Sequence, residues 1–226
     1  MPGLTLVTAP SVEPITLSEA KLFAKIDVPD DDTLVTDLIA AARKRVETWK
    51  GWALIQQDWD LFLDAFPGPL LQVTNPSEGW TSLSGDWTGQ SYWASAPILV
   101  PRPPIISVTY VKYTDYNGNI VTLTSGPDYQ VDASGLDLNG EPTRGRIAPP
   151  INKTWPITQL QALNGVNVRF RAGFGAAAAN VPEQIRTALK ELVGYWYYNR
   201  NAIGSESIPD SVGRILQESV GGFALA

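Results

Sequence analysis

The sequence predicts an α+β fold: helices from the two ends of the chain pack as a small helical bundle, and a mainly antiparallel β region is inserted between them. Three observations lead there. Helical apolar periodicity occupies residues 16–50 and returns only after residue 180. The stretch between is rich in β-branched and aromatic residues, punctuated at short intervals by Gly, Pro and Asn. Hydrophobic residues make up 44% of the 226 positions and charged residues 18%, enough apolar material to bury a core. Residues 1–53 and 175–226 are expected to form a discontinuous helical core, and residues 54–174 the inserted β region.

The first helix is expected at "ITLSEAKLFAKI", where Thr16 and Glu19 have the spacing of a capping box, which satisfies two orphan backbone donors. "DVPDDDT" breaks it, and Asp30, Asp31 and Asp32 suit the positive end of a second helix over about 33–50. Val35, Leu38, Ile39, Ala42, Val46 and Trp49 recur at three- and four-residue steps as one apolar stripe. Arg43, Lys44, Arg45 and Lys50 load its last turns with positive charge, and Gly51 is the expected stop.

"QQDWDLFLDAF" alternates, with Trp59, Leu61 and Leu63 expected on one face and Asp58, Asp60 and Asp64 on the other: a half-buried strand. Residues 68–97 form a long Trp-rich loop of weak periodicity, in which partial strand structure or a projecting arm is expected. "PILVPRPPIISVTYVKYTDYNGNIVTL" gives strands on either side of Asn117-Gly118, a hairpin signal for a type I′ turn. "DYQVD", "GRIAP" and "VNVRFRAGFG" supply further short strands. In the C-terminal part, Asn180, Pro182 and Glu183 mark a helix start, and Ile185, Ala188, Leu189, Leu192, Val193 and Trp196 make its apolar face. "IPDSVGRILQESV" reads as a short last helix.

Composition narrows function. With no histidine and no cysteine, the chain can run no Ser-His-Asp or Cys-His mechanism and build no cysteine-based zinc site. No catalytic, cofactor-binding or metal site is expected, and no cofactor. The N-terminus lacks a basic region and a long apolar core, so no signal peptide is expected. No window reaches the ~18 apolar residues that would span a bilayer. A soluble protein folding in a reducing cytoplasm is the expectation.

Several clusters admit both a chemical and a structural reading. Asp58, Asp60 and Asp64 could form a carboxylate site; a solvated strand face is the expectation. Asp30 to Asp32 are expected to compensate a helix dipole rather than hold a metal. "DYNGN" at 115–119 lacks the downstream acidic ligand of a calcium loop and reads as a turn. "GFG" at 173–175 lacks the third glycine of a dinucleotide fingerprint and reads as a flexible link. Arg43 to Arg45 could touch DNA phosphates, but the net charge of −6 favours solvent-facing charges at a helix end. Trp80, Trp87, Tyr92 and Trp93 could be a satellite core, a protein contact or a sugar-stacking platform; the last would make the chain a carbohydrate- or receptor-binding module.

The ordered set "PITLSEAKLFAKID…DDDTLVTDLIAAARKRVETW", "LFLDAFPG…ILVPRPPIISVTYVKYTDYNG", "DYQVD…GRI", "VRFRAGFG" and "VPEQIRTALKELVGYWYYNR" resembles the head–tail connector (adaptor) proteins of long-tailed bacteriophages, prophages and gene transfer agents. The resemblance covers about nine-tenths of the chain. It implies a virion protein at the head–tail junction, assembled in the host bacterial cytoplasm, that forms a ring, typically of twelve copies, beneath the portal. Such a ring joins the portal to a stopper or tail-terminator ring, and double-stranded DNA passes through its lumen without specific binding. The family often has a much shorter link where this chain has residues 68–97, so no role carries over to that segment.

Within this frame the family's C-terminal segment docks on the portal. Val212, Ile215 and Leu216 make an apolar stripe on the last helix, and Phe223 and Leu225 follow a Gly-Gly hinge. These five are the docking candidates, and removal of residues 208–226 is expected to spare the fold while abolishing attachment. In "LVGYWYYNR", Trp196 extends the core stripe, Tyr195 and Tyr197 lie at its margins, and Tyr198 points away. Tyr195, Tyr198, Trp87 and Trp93 are the subunit-interface candidates.

Overall fold

Thr16 opens the first helix as the spacing predicts. In the computed structural model, which describes residues 3–68, 73–75, 80–82, 96–133, 135–137, 141–200 and 208–218, helix α1 spans Leu17–Ala24. The Thr16 hydroxyl accepts from Glu19 N–H at 3.2 Å, and Glu19 Oε2 accepts from Thr16 N–H at 2.8 Å. Helix α2 (Asp32–Lys50) ends at Gly51, whose φ of 71° only glycine adopts freely. Helix α3 spans Glu183–Tyr198 and α4 Asp210–Glu218.

The four helices share one apolar cluster. It joins Ala20, Ala24, Val35, Leu38, Ile39, Ala42 and Val46 to Ile185, Leu189, Leu192, Val193, Trp196, Val212 and Leu216. Trp49, placed in this stripe by periodicity, is exposed instead. Gly51 turns the chain, and Trp52 enters the core in its place, its ring edge-on to Phe174.

The strands are β1 (Gly3–Thr8), β2 (Gln57–Leu63), β3 (Val73–Asn75), β4 (Trp80–Ser82), β5 (Ile98–Val100), β6 (Ile105–Thr114), β7 (Ile120–Leu123), β8 (Gln130–Asp132), β9 (Gly145–Ala148) and β10 (Val166–Ala172). Five of them build one sheet in the order β1-β2-β10-β6-β7, and three build a second in the order β5-β9-β8, with every pairing antiparallel. The β3-β4 ribbon supplies the partial strand structure expected within 68–97. Strand β10 alternates strictly: Val166, Val168, Phe170 and Ala172 are buried, and Asn167, Arg169 and Arg171 face the other way. Ile98, Val100, Tyr129 and Ile147 of the smaller sheet and its flanks cover that apolar face in a second cluster.

Strand β1 is a finding the sequence reading lacked. It runs along β2 from Gly3↔Phe62 to Thr8↔Asp58, so the N-terminal segment belongs to the sheet before the chain enters the helices.

The expected hairpin is present, but its turn is not type I′. Gly118 has φ +85° while Asn117 stays at negative φ. Asp115 supplies the difference: its carboxylate accepts from the backbone N–H groups of Asn117 and Asn119 at 2.9 Å each. Asn180, expected to cap α3, instead accepts from Ala177 N–H at 3.0 Å within a preceding 3-10 turn, and Pro182 takes the cap position.

The "GFG" stretch is also not a loose link. Gly173 N–H donates to Pro104 O at 2.8 Å, Phe174 N–H to Leu54 O at 3.2 Å, and Gln56 N–H to Gly175 O at 2.9 Å. A Cβ on Gly173 would lie 2.5 Å from the Ile55 carbonyl carbon, so the two strand–helix crossings pass closely here because a glycine is present.

Candidate interaction surfaces

The carboxylate row on β2 is spoken for. Asp60 receives a two-pronged ion pair from Arg169 at 2.8 and 2.7 Å, and Asp58 one from Arg171 at 2.8 and 3.2 Å. These are directly opposed residues of β2 and β10. Asp60 is buried rather than solvated, and Tyr110 lies under the Arg169 guanidinium at 5.2 Å. The Arg171 guanidinium bound to Asp58 holds that carboxyl below its ordinary range. A carboxylate tied up this way is poorly disposed to transfer protons or bind a cation. Asp64 accepts from Asn164 N–H at 3.1 Å. Among the described residues no group of three or more Asp or Glu is arranged to hold a metal ion.

The basic cluster on α2 divides. Lys44 is exposed, but Arg43 is buried, neither a phosphate contact nor a solvent-facing charge. Its Nε donates to Glu13 Oε2 at 2.8 Å and its Nη1 to Glu47 Oε2 at 2.9 Å. Glu47 Oε1 accepts from Leu54 N–H at 3.0 Å and Gln57 Nε2 at 2.8 Å, and Arg102 Nη1 donates to the Glu47 carbonyl at 3.0 Å. This polar knot fastens the helical layer to the root of the sheet. The i, i+4 spacing of Arg43 and Glu47 was its one signal in the sequence.

Two of the tyrosine candidates come together at the C-terminal end of α3. Tyr195 is 40% exposed and Tyr198 64%. The Tyr198 hydroxyl donates to Ala24 O at 2.7 Å, satisfying the end of α1, and its ring stands edge-on to Tyr197 at 5.2 Å. Tyr197 in turn donates to Asp31 Oδ2 at 2.5 Å, and this bond holds its phenol above the ordinary tyrosine range. Tyr195 and Tyr198, with Phe23, Ala24, Lys25, Glu191, Gly194 and Asn199, line a shallow depression of about 450 Å³. Phe23 is 49% exposed there, and its neighbour in sequence, Leu22, is 83% exposed. Sequence reasoning missed these two, because an eight-residue helix is too short for its stripe to show which apolar residues face out.

The candidates on α4 are placed differently. Val212 and Leu216 are fully buried against the helical cluster, and Ile215 packs on it half-buried. The stripe therefore closes the core of this chain in the conformation seen. The expectation that the fold stands without residues 208–226 is corrected accordingly, since that cut removes two core side chains. Phe223, Leu225, Trp87 and Trp93 lie outside the described residues, as does Tyr92. Among the described residues no helix is long and apolar enough to cross a membrane.

No protein-family model matches the chain, and no curated protein sequence matches it. Solved structures do. A chain in "Virion of native gene transfer agent (GTA) particle" aligns with a TM-score of 0.67 and 19% identity, over 99% of this chain and 97% of that one. A chain in "Neck of empty GTA particle computed with C6 symmetry" gives 0.67 and 19%, over 99% and 98%. A chain in "Neck of native GTA particle computed with C12 symmetry" gives 0.59 and 18%, over 98% of each. The fold of this chain thus corresponds to that of these chains over nearly the full length of each.

Proposed function

We propose that this protein is a structural head–tail adaptor of a phage-like virion. Copies of it form a ring under the portal, twelve as the family resemblance implies, that joins the DNA-filled head to a stopper or tail-terminator and lets DNA through; the related necks computed with C6 and C12 symmetry support a multi-copy ring. The observation that carries the reading is the end-to-end structural likeness to chains of gene transfer agent particles and necks. The charge arrangement supports the passive role. The net charge is −6, and Arg43, Arg169, Arg171 and Arg186 each sit in an ion pair with a carboxylate of the same chain. Cations already paired offer little counterion release to a passing duplex.

The test is genetic and structural. Particles made without this protein are expected to be filled heads lacking tails, and purified wild-type particles to contain it in ring stoichiometry. Its absence from purified particles, or normal tail attachment without it, would refute the role.

A further inference from the structure

Among the described residues the five-stranded sheet ends in two unpartnered edges, β1 and β7. Among the described residues β1 pairs with β2 alone and β7 with β6 alone. An edge strand presents a row of free N–H and C=O groups, and proteins normally blunt such edges with charge, proline or a bulge. Neither "GLTLVT" nor "IVTL" carries a charge or a proline, and the one irregularity in β1 falls after Leu6. Leu6 is 42% exposed, Ile120 70% and Val121 38%.

The two edges also match each other. Through the register, Leu4 lies opposite Leu61 and Leu123 opposite Val111, both buried, so Leu4 and Leu123 point to the covered face of the sheet. Side chains alternate, which puts Leu6 and Val121 on that same face. Thr5 lies opposite Asp60 and Thr122 opposite Lys112, on the charged face. Leu4-Thr5-Leu6 and Val121-Thr122-Leu123 therefore repeat one pattern, apolar on the covered face and threonine on the other.

Direction decides how they could meet. Four antiparallel steps separate β1 from β7, so the two edges run the same way. Copies related by rotation about a ring axis keep their orientation, so β7 of one copy would meet β1 of the next in parallel. A twofold dimer would instead pair β1 with β1, or β7 with β7, antiparallel.

We infer that the subunit interface contains a parallel β7–β1 pairing between successive copies, with Val121-Thr122-Leu123 beside Leu4-Thr5-Leu6. The occupant of each edge is a second copy of this chain, and the inference rests on the ring reading above. The pairing joins the sheets of neighbouring copies into one belt. Apolar residues meet on its covered face and threonines on the other, and a one-residue slip would set threonine against leucine.

The chain has no native cysteine, so placed thiols report cleanly. The full-length double variant Thr5→Cys/Thr122→Cys, assembled on its portal and treated with a short bismaleimide, is expected to give a ladder of covalent multimers. Each single variant should give none, and Thr5→Cys/Val121→Cys, with thiols on opposite faces, at least fivefold less. Circular dichroism of each variant confirms its fold. Dimers from Thr5→Cys alone would overturn the inference in favour of a twofold contact. Rings visible by electron microscopy without a ladder would overturn it and leave the adaptor role standing. A ladder without portal-bound rings would uphold the pairing and count against the adaptor role. Neither ladder nor rings would overturn both.

Discussion

Gln57 Nε2 donates to Glu47 Oε1 at 2.8 Å, so the first residue of β2 is tied to the last turn of α2. The same carboxylate holds Arg43 through its other oxygen. One buried charge thereby couples the helical layer to the sheet.

Removing that carboxylate strands a buried guanidinium with only Glu13 to answer it. Glu47→Ala is expected to cost about 3–5 kcal/mol, the usual penalty for breaking a buried pair. Glu47→Gln, which keeps an acceptor, should cost less. Urea unfolding monitored by circular dichroism measures both, and equal midpoints for wild type and Glu47→Ala would contradict the coupling.

Leu216 is fully buried in the helical cluster. Leu216→Ala should therefore destabilise the isolated protein by about 2–4 kcal/mol, as large-to-small core changes do. A silent Leu216→Ala would mean α4 is detached in solution.

Tyr198 makes one hydrogen bond and exposes most of its ring. Tyr198→Phe is expected to cost about 0.5–1 kcal/mol of monomer stability. Tyr198→Ala should keep the monomer folded while lowering ring yield on the portal, counted by negative-stain microscopy. Full ring yield from Tyr198→Ala would remove this surface from the assembly.

Acid should weaken the fold through Asp58 and Glu19. Arg171 lowers the Asp58 pKa by hydrogen bonding, and the Thr16 backbone N–H is the first cause of the lowered Glu19 pKa. Both folded values lie below the unfolded ones, so their contribution is complete above about pH 5 and drains away as pH falls through the unfolded and then the folded values. Stability of Asp58→Asn/Glu19→Gln should depend less steeply on pH below about 4 than wild type. Identical slopes would show that other carboxylates set the acid limit.

The elements carried by local chemistry were legible in the sequence. The Thr16 cap, the Gly51 stop and the strands flanking Asn117-Gly118 each sit where side-chain type and spacing place them. What escaped depends on distant partners. β1 exists because β2, some fifty residues away in sequence, offers it an edge. Arg43 is buried because Glu13 and Glu47 converge on it. The ion pairs of Asp58 and Asp60 had a trace, since Arg169 and Arg171 repeat their two-residue spacing, but only the register shows that the pairs coincide. The placement of Tyr198 was half legible. Helical angles point Tyr198 away from the core, while its bond to Ala24 needed the end of α1 in place.

Cryo-electron microscopy of this protein mixed with its portal tests the central claim most directly. A single ring of this chain stacked coaxially on the portal, with the inserted sheets repeating around a DNA-wide lumen, is the predicted result. A portal that emerges bare while the protein stays in solution would contradict it.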